Sequence, residues 1–166
     1  MLSAAGGRVA AMDIFAPISN PPFPRSPLDG YTFRAADTEK ASEEHSVSLR
    51  VVGEICAGQV FPGIVQPGEA VRIMTGAKIP AGCDCVLRQE DARLRDAAGH
   101  LVDDLRLDRR LCAEDGFLVE VSYTLQQQQN YCPEGEDIEQ GTCLLKKDSV
   151  LKAAHIGVLA SMGIAS

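Results

Sequence analysis

SNPPFPRSPLDGYTFR, residues 19–34, is the stretch whose reading decides the fold. Pro21, Pro22, Pro24 and Pro27 each fix φ near the polyproline value and push the preceding residue toward extended backbone. The segment is expected as a stiff arm that can form neither a helix interior nor a central strand. It ends in Asp29-Gly30, a carboxylate beside the residue that best tolerates close approach or positive φ. A rigid arm carrying one acid to a tight turn suggests that the acid is used.

Working outward, 166 residues suit one ordinary domain, or one domain with a small packed appendage. An apolar fraction of 45% supports a real core, which must rest on aliphatic side chains because Trp is absent. Fifteen Gly and nine Pro, spread along the chain, point to many turns and short strands rather than a helical bundle. A formal charge of −7 disfavours nucleic acid and anionic membrane as partners. The one dense basic spot, Arg106, Arg109 and Arg110, is interrupted by acids. No stretch has the length of a membrane span, and the first residues lack the pattern of a secretion signal. Cys56, Cys83, Cys85, Cys112, Cys132 and Cys143 show no C-x-x-C and no His at ligand spacing, so reduced, packed thiols are expected.

Along the chain, residues 3–15 read as a short helical remnant and a strand, and Arg34–Asp37 as a turn or short helix. Val47, Leu49 and Val51 alternate with Ser48 and Arg50, which predicts a half-buried strand over 47–55. Further strands are predicted at 69–74, 84–89 and 117–122, with a hairpin over 93–107 turning at 96–99 and an exposed loop at 126–129. Leu151, Ala154, His155, Val158, Leu159 and Met162 follow helical spacing. Asp148 or Ser149 is expected to cap that helix and Gly163 to end it, leaving Ile164 and Ala165 with nothing to pack on. The fold class is therefore mainly β (α+β), a turn-rich β domain with acidic loops.

Three turns carry acid or hydroxyl groups: Asp29 in L-D-G-Y, Thr75 in M-T-G-A-K-I-P, and Asp137 in G-E-D-I. Each dipeptide is also an ordinary turn former. Together they suit a hard cation such as Mg2+ bound with a phosphate. No phosphate loop, dinucleotide fingerprint or Ser-His-Asp pattern is present, and His45, His100 and His155 are read as surface or core residues.

The motifs taken together go further. GRVAAMDIFAPISNPPFPRSPLDGYTFRAADT (7–38), VVGEICAGQ (51–59), PGEAVRIMTGAKIPAGCDCVLRQED (67–91), PEGEDIEQG (133–141) and LKAAHIGVLASMGI (151–164) occur in this order. The chain resembles the N-terminal portion of the molybdopterin molybdenumtransferase family, the MoeA-type enzymes that include the enzymatic part of gephyrin. The resemblance implies an irregular β domain at 17–141, a small lobe from 1–16 and 142–166 containing the C-terminal helix, and a cytoplasmic transferase of molybdenum cofactor biosynthesis. Its substrates would be molybdate and adenylylated molybdopterin, its cofactor Mg2+, and AMP would be released.

By motif, Asp29, Thr75 and Asp137 carry over as catalytic positions and Asp29 and Asp137 as metal ligands. Thr75, Gly76 and Glu136 carry over as contacts to the pterin substrate. The family's pterin-binding α/β domain and its later small β domain have no counterpart in these 166 residues. The expectation is thus one wall of an active site completed in a homodimer of the full chain, with no turnover by this portion alone. A non-catalytic binding or dimerisation module from the same family is the alternative. The third reading is a free polyproline ligand at NPPFPRSP. Two departures stand out. Pro27-Leu28 replaces the family's usual Ala-Met before the acid, and Cys132 stands where an Arg commonly precedes Gly-Glu-Asp, which removes a bidentate anion contact.

Overall fold

The computed structural model describes residues 2–102 and 116–164. The second limb of the predicted hairpin beyond Val102, the basic spot at 106–110, Cys112 and Ala165 lie outside them. In chain order the strands are β1 (Ile14–Phe15), β2 (Gly30–Phe33), β3 (Val47–Ile55), β4 (Glu69–Ile73), β5 (Cys85–Arg88), β6 (Arg93–Arg95), β7 (Leu101–Val102), β8 (Leu118–Val121) and β9 (Cys143–Leu145). One α-helix follows, α1 (Ala153–Ser161), and short 3-10 turns occupy Leu2–Ala4, Ala35–Thr38 and Gln89–Asp91. The fold is mainly β. The chain divides into two compact units, Pro24–Cys132 and Met1–Phe23 with Pro133–Ser166.

The larger unit is one mixed sheet in the order β5-β2-β4-β3-β8-β6-β7. Neighbours are antiparallel except β3 and β4, which run parallel. Against the expectation for the proline arm, residues 30–33 form an internal strand, buried at all four positions. The physical reason is range. The last proline, Pro27, restricts only Ser26 before it, so the backbone from Gly30 onward is free to pair on both sides. The absent side chain at Gly30 permits this closeness, because a Cβ there would collide with the Leu87 carbonyl oxygen.

Both faces of this sheet are covered. Tyr31, Phe33, Leu49, Val51, Ala70, Cys85, Leu87, Val119 and Val121 form one cluster, while Ile55, Val71, Ile73, Ala77 and Val86 form another. Leu49 and Val51 belong to the first and Ile55 to the second, although alternation alone would keep all three on one face. An extra residue in β3 explains the switch: Val51 pairs with Ala70 but Glu54 already pairs with Arg72. This bulge brings Glu54 and Arg72 together at 3.1 Å, with side chains only 9% and 12% exposed.

In the smaller unit, residues 8–20 and 138–151 run antiparallel as a ribbon. It is held by β1–β9 pairing and by the bridges Val9–Val150 and Asn20–Ile138. The ribbon explains why 17–23 and 133–141, expected in the large domain, pack with the small lobe. Asn20 exchanges both backbone bonds with Ile138, Gly135 donates to the Pro21 carbonyl, and Gly141 donates to the Ala16 carbonyl. The unit borders accordingly fall after Phe23 and after Cys132, not at 16 and 141. Its core is Ala10, Leu145, Leu151 and Leu159.

Helix α1 is capped differently from the expectation. Lys152, not Asp148 or Ser149, stands at the N-cap, and its N–H is received by the His155 ring nitrogen Nδ1 at 3.2 Å. Gly163 ends the helix at φ +74°. Gly163 donates to the Ala160 carbonyl and Ile164 to that of Leu159, the paired bonds of a Schellman motif. Ile164 consequently has a place to pack, beside Leu159 in the small core.

The polyproline-ligand reading fails on the same kind of observation. Pro21 and Ser26 are buried. Pro24 accepts from Ile79, Arg25 exchanges both backbone bonds with Cys132, and Ser26 donates to the Ala77 carbonyl. The arm is built into the fold.

Candidate functional site

β2 begins at the sheet end where β3, β4 and β5 finish, because β2 is antiparallel to β4 and β5, and β4 is parallel to β3. Gly30 lies opposite Ile73 on one side and Arg88 on the other. Asp29, just before β2, is therefore brought beside Met74-Thr75 and Gln89 by register. The Asp29 carbonyl accepts the Gln89 N–H at 3.0 Å. Thr75 sits in a turn closed by the Ala77 N–H on the Met74 carbonyl, with Gly76 at φ +81°, the left-handed value that such a turn requires at its third residue.

Thr75 N–H and Thr75 Oγ1 both reach Asp29 Oδ1, each at 2.7 Å. The amide bond is the main reason the Asp29 carboxyl is held below its ordinary value of 3.8. The hydroxyl adds to it, burial opposes it, and the Arg72 guanidinium lowers it further. At neutral pH Asp29 is thus a carboxylate and cannot donate, so the Thr75 hydroxyl must. Its proton is committed to Oδ1, which leaves its oxygen to act as an acceptor. Among the described residues no partner occupies Asp29 Oδ2. Both residues are exposed. What the pair offers a ligand is oxygen acceptors carrying one negative charge.

That donor chemistry fits a hard cation. Mg2+ commonly keeps several waters and takes one or two carboxylates together with substrate phosphates. Among the described residues no three His, Cys, Asp or Glu side chains gather into a protein-only cage. Asp29 is the residue of this unit that would hold such an ion, with Thr75 Oγ1 accepting from its water.

Asp137 lies in the smaller unit, exposed, its N–H and that of Ile138 both donating to the Asn20 carbonyl. Glu136 precedes it in a turn after Pro133, also exposed. Gly76 spends its amide on the Ser26 carbonyl at 2.8 Å, so it shapes the Thr75 turn. At Cys132 the Arg25 side chain arrives from the neighbouring backbone segment, Nε to Sγ at 3.5 Å.

Sequence reasoning missed two residues around the pair. Arg72 acts on Asp29 through its charge, and its place two positions before Met74 in a strand was a readable signal. Ser26 is 1% exposed and hydrogen-bonded on both sides of the site. A serine between Arg25 and Pro27 gives no such warning in one sequence.

Comparison with known proteins adds a consistent set of likenesses. The family profile of the MoeA N-terminal region (domain I and II) matches residues 1–163. The molybdopterin molybdenumtransferase of Bacillus subtilis (strain 168) is 36% identical over 159 residues, covering 96% of this chain and 33% of that protein. That of Haemophilus influenzae is 35% identical over 164 residues, covering 99% of this chain and 35% of the relative. The crystal structure of a molybdopterin biosynthesis MoeA protein from Pyrococcus horikoshii matches with a TM-score of 0.81 at 33% identity, over 98% of this chain and 37% of that one. The chain spans about a third of the length of the curated relatives it matches.

Proposed function

The chain belongs to the family of MoeA N-terminal regions, and from that premise we propose that it serves molybdenum cofactor biosynthesis as part of a molybdopterin molybdenumtransferase. In this reading molybdate is inserted into adenylylated molybdopterin and AMP is released. The chain supplies one wall of a site completed by a second subunit of a cytoplasmic homodimer. In the larger unit Asp29 is proposed as a Mg2+ ligand and Thr75 as a substrate contact; in the smaller unit Asp137 and Glu136 are proposed, each by itself, for the same two roles.

The observation that carries the proposal is the doubly bonded Asp29 Oδ1 with Oδ2 left to a ligand. Two donors from one residue fix the carboxylate's rotation and keep it ionised. A fixed, ionised acid repels a bare phosphate but attracts a phosphate that arrives with its cation. When bound, Mg2+ would neutralise the pyrophosphate bridge whose cleavage releases AMP. Thr75, with its proton turned to Asp29, supports this as an acceptor toward the ion's water rather than as a donor to phosphate.

Titration calorimetry with Mg2+ and inorganic pyrophosphate tests the reading on the chain itself. Pyrophosphate is expected to bind only when Mg2+ is present, and Asp29→Asn to weaken that binding by about tenfold, the worth of one charged contact. Binding indifferent to both Mg2+ and Asp29 would overturn it.

A further inference from the structure

We propose that Ser26 is a positioning residue that fixes the Asp29–Thr75 pair from beneath, tying the segment that carries the acid and the turn that carries the hydroxyl to one buried point. Ser26 is one of three buried polar residues among those described, at 1% exposure. Its hydroxyl donates to the Leu28 carbonyl at 2.5 Å and receives the Leu28 N–H at 3.4 Å, closing Pro27-Leu28 into a small loop that ends at Asp29. Its own carbonyl accepts the Gly76 N–H at 2.8 Å, and its N–H donates to the Ala77 carbonyl at 3.0 Å. One residue therefore grips both partners of the site, each within three positions.

The chemistry explains why a hydroxyl is needed there. Pro27 has no N–H, so the loop between Ser26 and Asp29 cannot close through a backbone bond from that residue. A side chain that both donates and accepts replaces it, as a serine turn does. With alanine at 26, the backbone bonds to Gly76 and Ala77 remain, but Leu28 loses its two side-chain bonds. Asp29 keeps its carbonyl bond to the Gln89 N–H, but the segment on its N-terminal side is no longer closed, so its carboxylate sits less firmly on the Thr75 amide and hydroxyl.

The inference rests on the reading of Asp29 and Thr75 as the working pair, but its first readout does not depend on any activity. NMR titration of the Asp29 side-chain carboxyl and hydrogen exchange at the Thr75 amide are measured in the native chain, in Ser26→Ala and in Ser26→Cys. In Ser26→Ala the Asp29 midpoint is expected to rise toward 3.8, and the Thr75 amide to exchange about tenfold faster, as for the loss of one net hydrogen bond. Ser26→Cys, of similar size and with a weak donor, should fall between. A folded Ser26→Ala with both readouts unchanged overturns the proposal. If neither variant folds, the native chain decides. The Leu28, Thr75 and Gly76 amides should then share one protection factor, and a spread beyond about tenfold refutes a common anchor. Should Asp29 shift as expected while Mg2+-pyrophosphate binding stays as in the native chain, Ser26 keeps its positioning role and the functional reading falls.

Discussion

Replacing Gly30 by alanine should be a severely damaging single-methyl addition in the large unit. The new Cβ is aimed at the Leu87 carbonyl oxygen, with the Leu87 carbonyl carbon at 3.0 Å and Arg88 Cα at 3.3 Å behind it. All three are backbone atoms of β5, so no side-chain rotation relieves the clash. Overpacking in a rigid core costs about 1–3 kcal/mol even where side chains yield. Pushing β5 away also weakens the local ladder, including the Gln89 bond to the Asp29 carbonyl, at about 1 kcal/mol for each bond lost. Alanine recovers about 0.5–1 kcal/mol of backbone entropy relative to glycine. The net loss is about 3 kcal/mol out of a total near 5–15 kcal/mol. With a urea m-value of about 2 kcal/mol/M, the midpoint should fall by about 1.5 M. Gly58→Ala is the control: nothing lies within 4 Å of its added Cβ, and only the φ of +84° opposes it. That strain is worth about 1–2 kcal/mol. A Gly30→Ala chain no less stable than Gly58→Ala would refute the claim that close backbone approach, not turn flexibility, is what glycine supplies at the start of β2.

Two further outcomes follow from the same geometry. Because the folded Asp29 carboxyl lies below 3.8, its contribution to stability is complete above that pH and is lost as the pH falls through the lower folded value. Thr75→Val should raise the Asp29 midpoint part of the way toward 3.8, since the amide, the larger cause, remains; Thr75→Ser should leave it in place, and carboxyl NMR reads both. Among the thiols, burial pushes Cys83 up to about 12 and Cys85 higher still, whereas Cys143 is exposed. Alkylation at pH 8 followed by peptide mapping should label Cys143 well before Cys83 or Cys85, and equal labelling would contradict the packing described for β5.

How much of this was legible in the sequence depended on whether a single period governed the segment. β3 was readable to the residue because Val47, Leu49 and Val51 alternate over one buried face. Gly163 marked the end of α1 because a left-handed residue there is a local requirement. β2 was missed because Gly30, Tyr31, Thr32 and Phe33 are buried on both faces, which erases alternation, and because prolines stood close by. The bulge that moves Ile55 to the other cluster is set by pairing with β4, so no window around Ile55 contains it. Ile164 looked idle for the same reason: its partner is made by the turn that Gly163 allows. The unit border failed on long-range bonds between Asn20 and Ile138, which one strand cannot announce. At the site, Asp29 and Thr75 were legible as turns carrying an acid and a hydroxyl, but their meeting is a product of β2–β4 register.

The direction of one proton narrows what the Asp29–Thr75 end of the sheet can recognise. Were Asp29 protonated, Thr75 would be free to donate, and the pair would suit an anion directly. The amide bond from Thr75 forbids that at neutral pH by stabilising the charged carboxylate. The hydroxyl, sharing the same oxygen, then has no other choice of role. Acceptors alone cannot satisfy a phosphate or a molybdate, both of which are acceptors themselves. A ligand of this rim must bring donors or positive charge, as a hydrated divalent ion or a pterin N–H does. The anionic substrates proposed for the family would reach this rim through an intermediary, and the cationic groups that meet them directly must come from elsewhere than the Asp29–Thr75 pair.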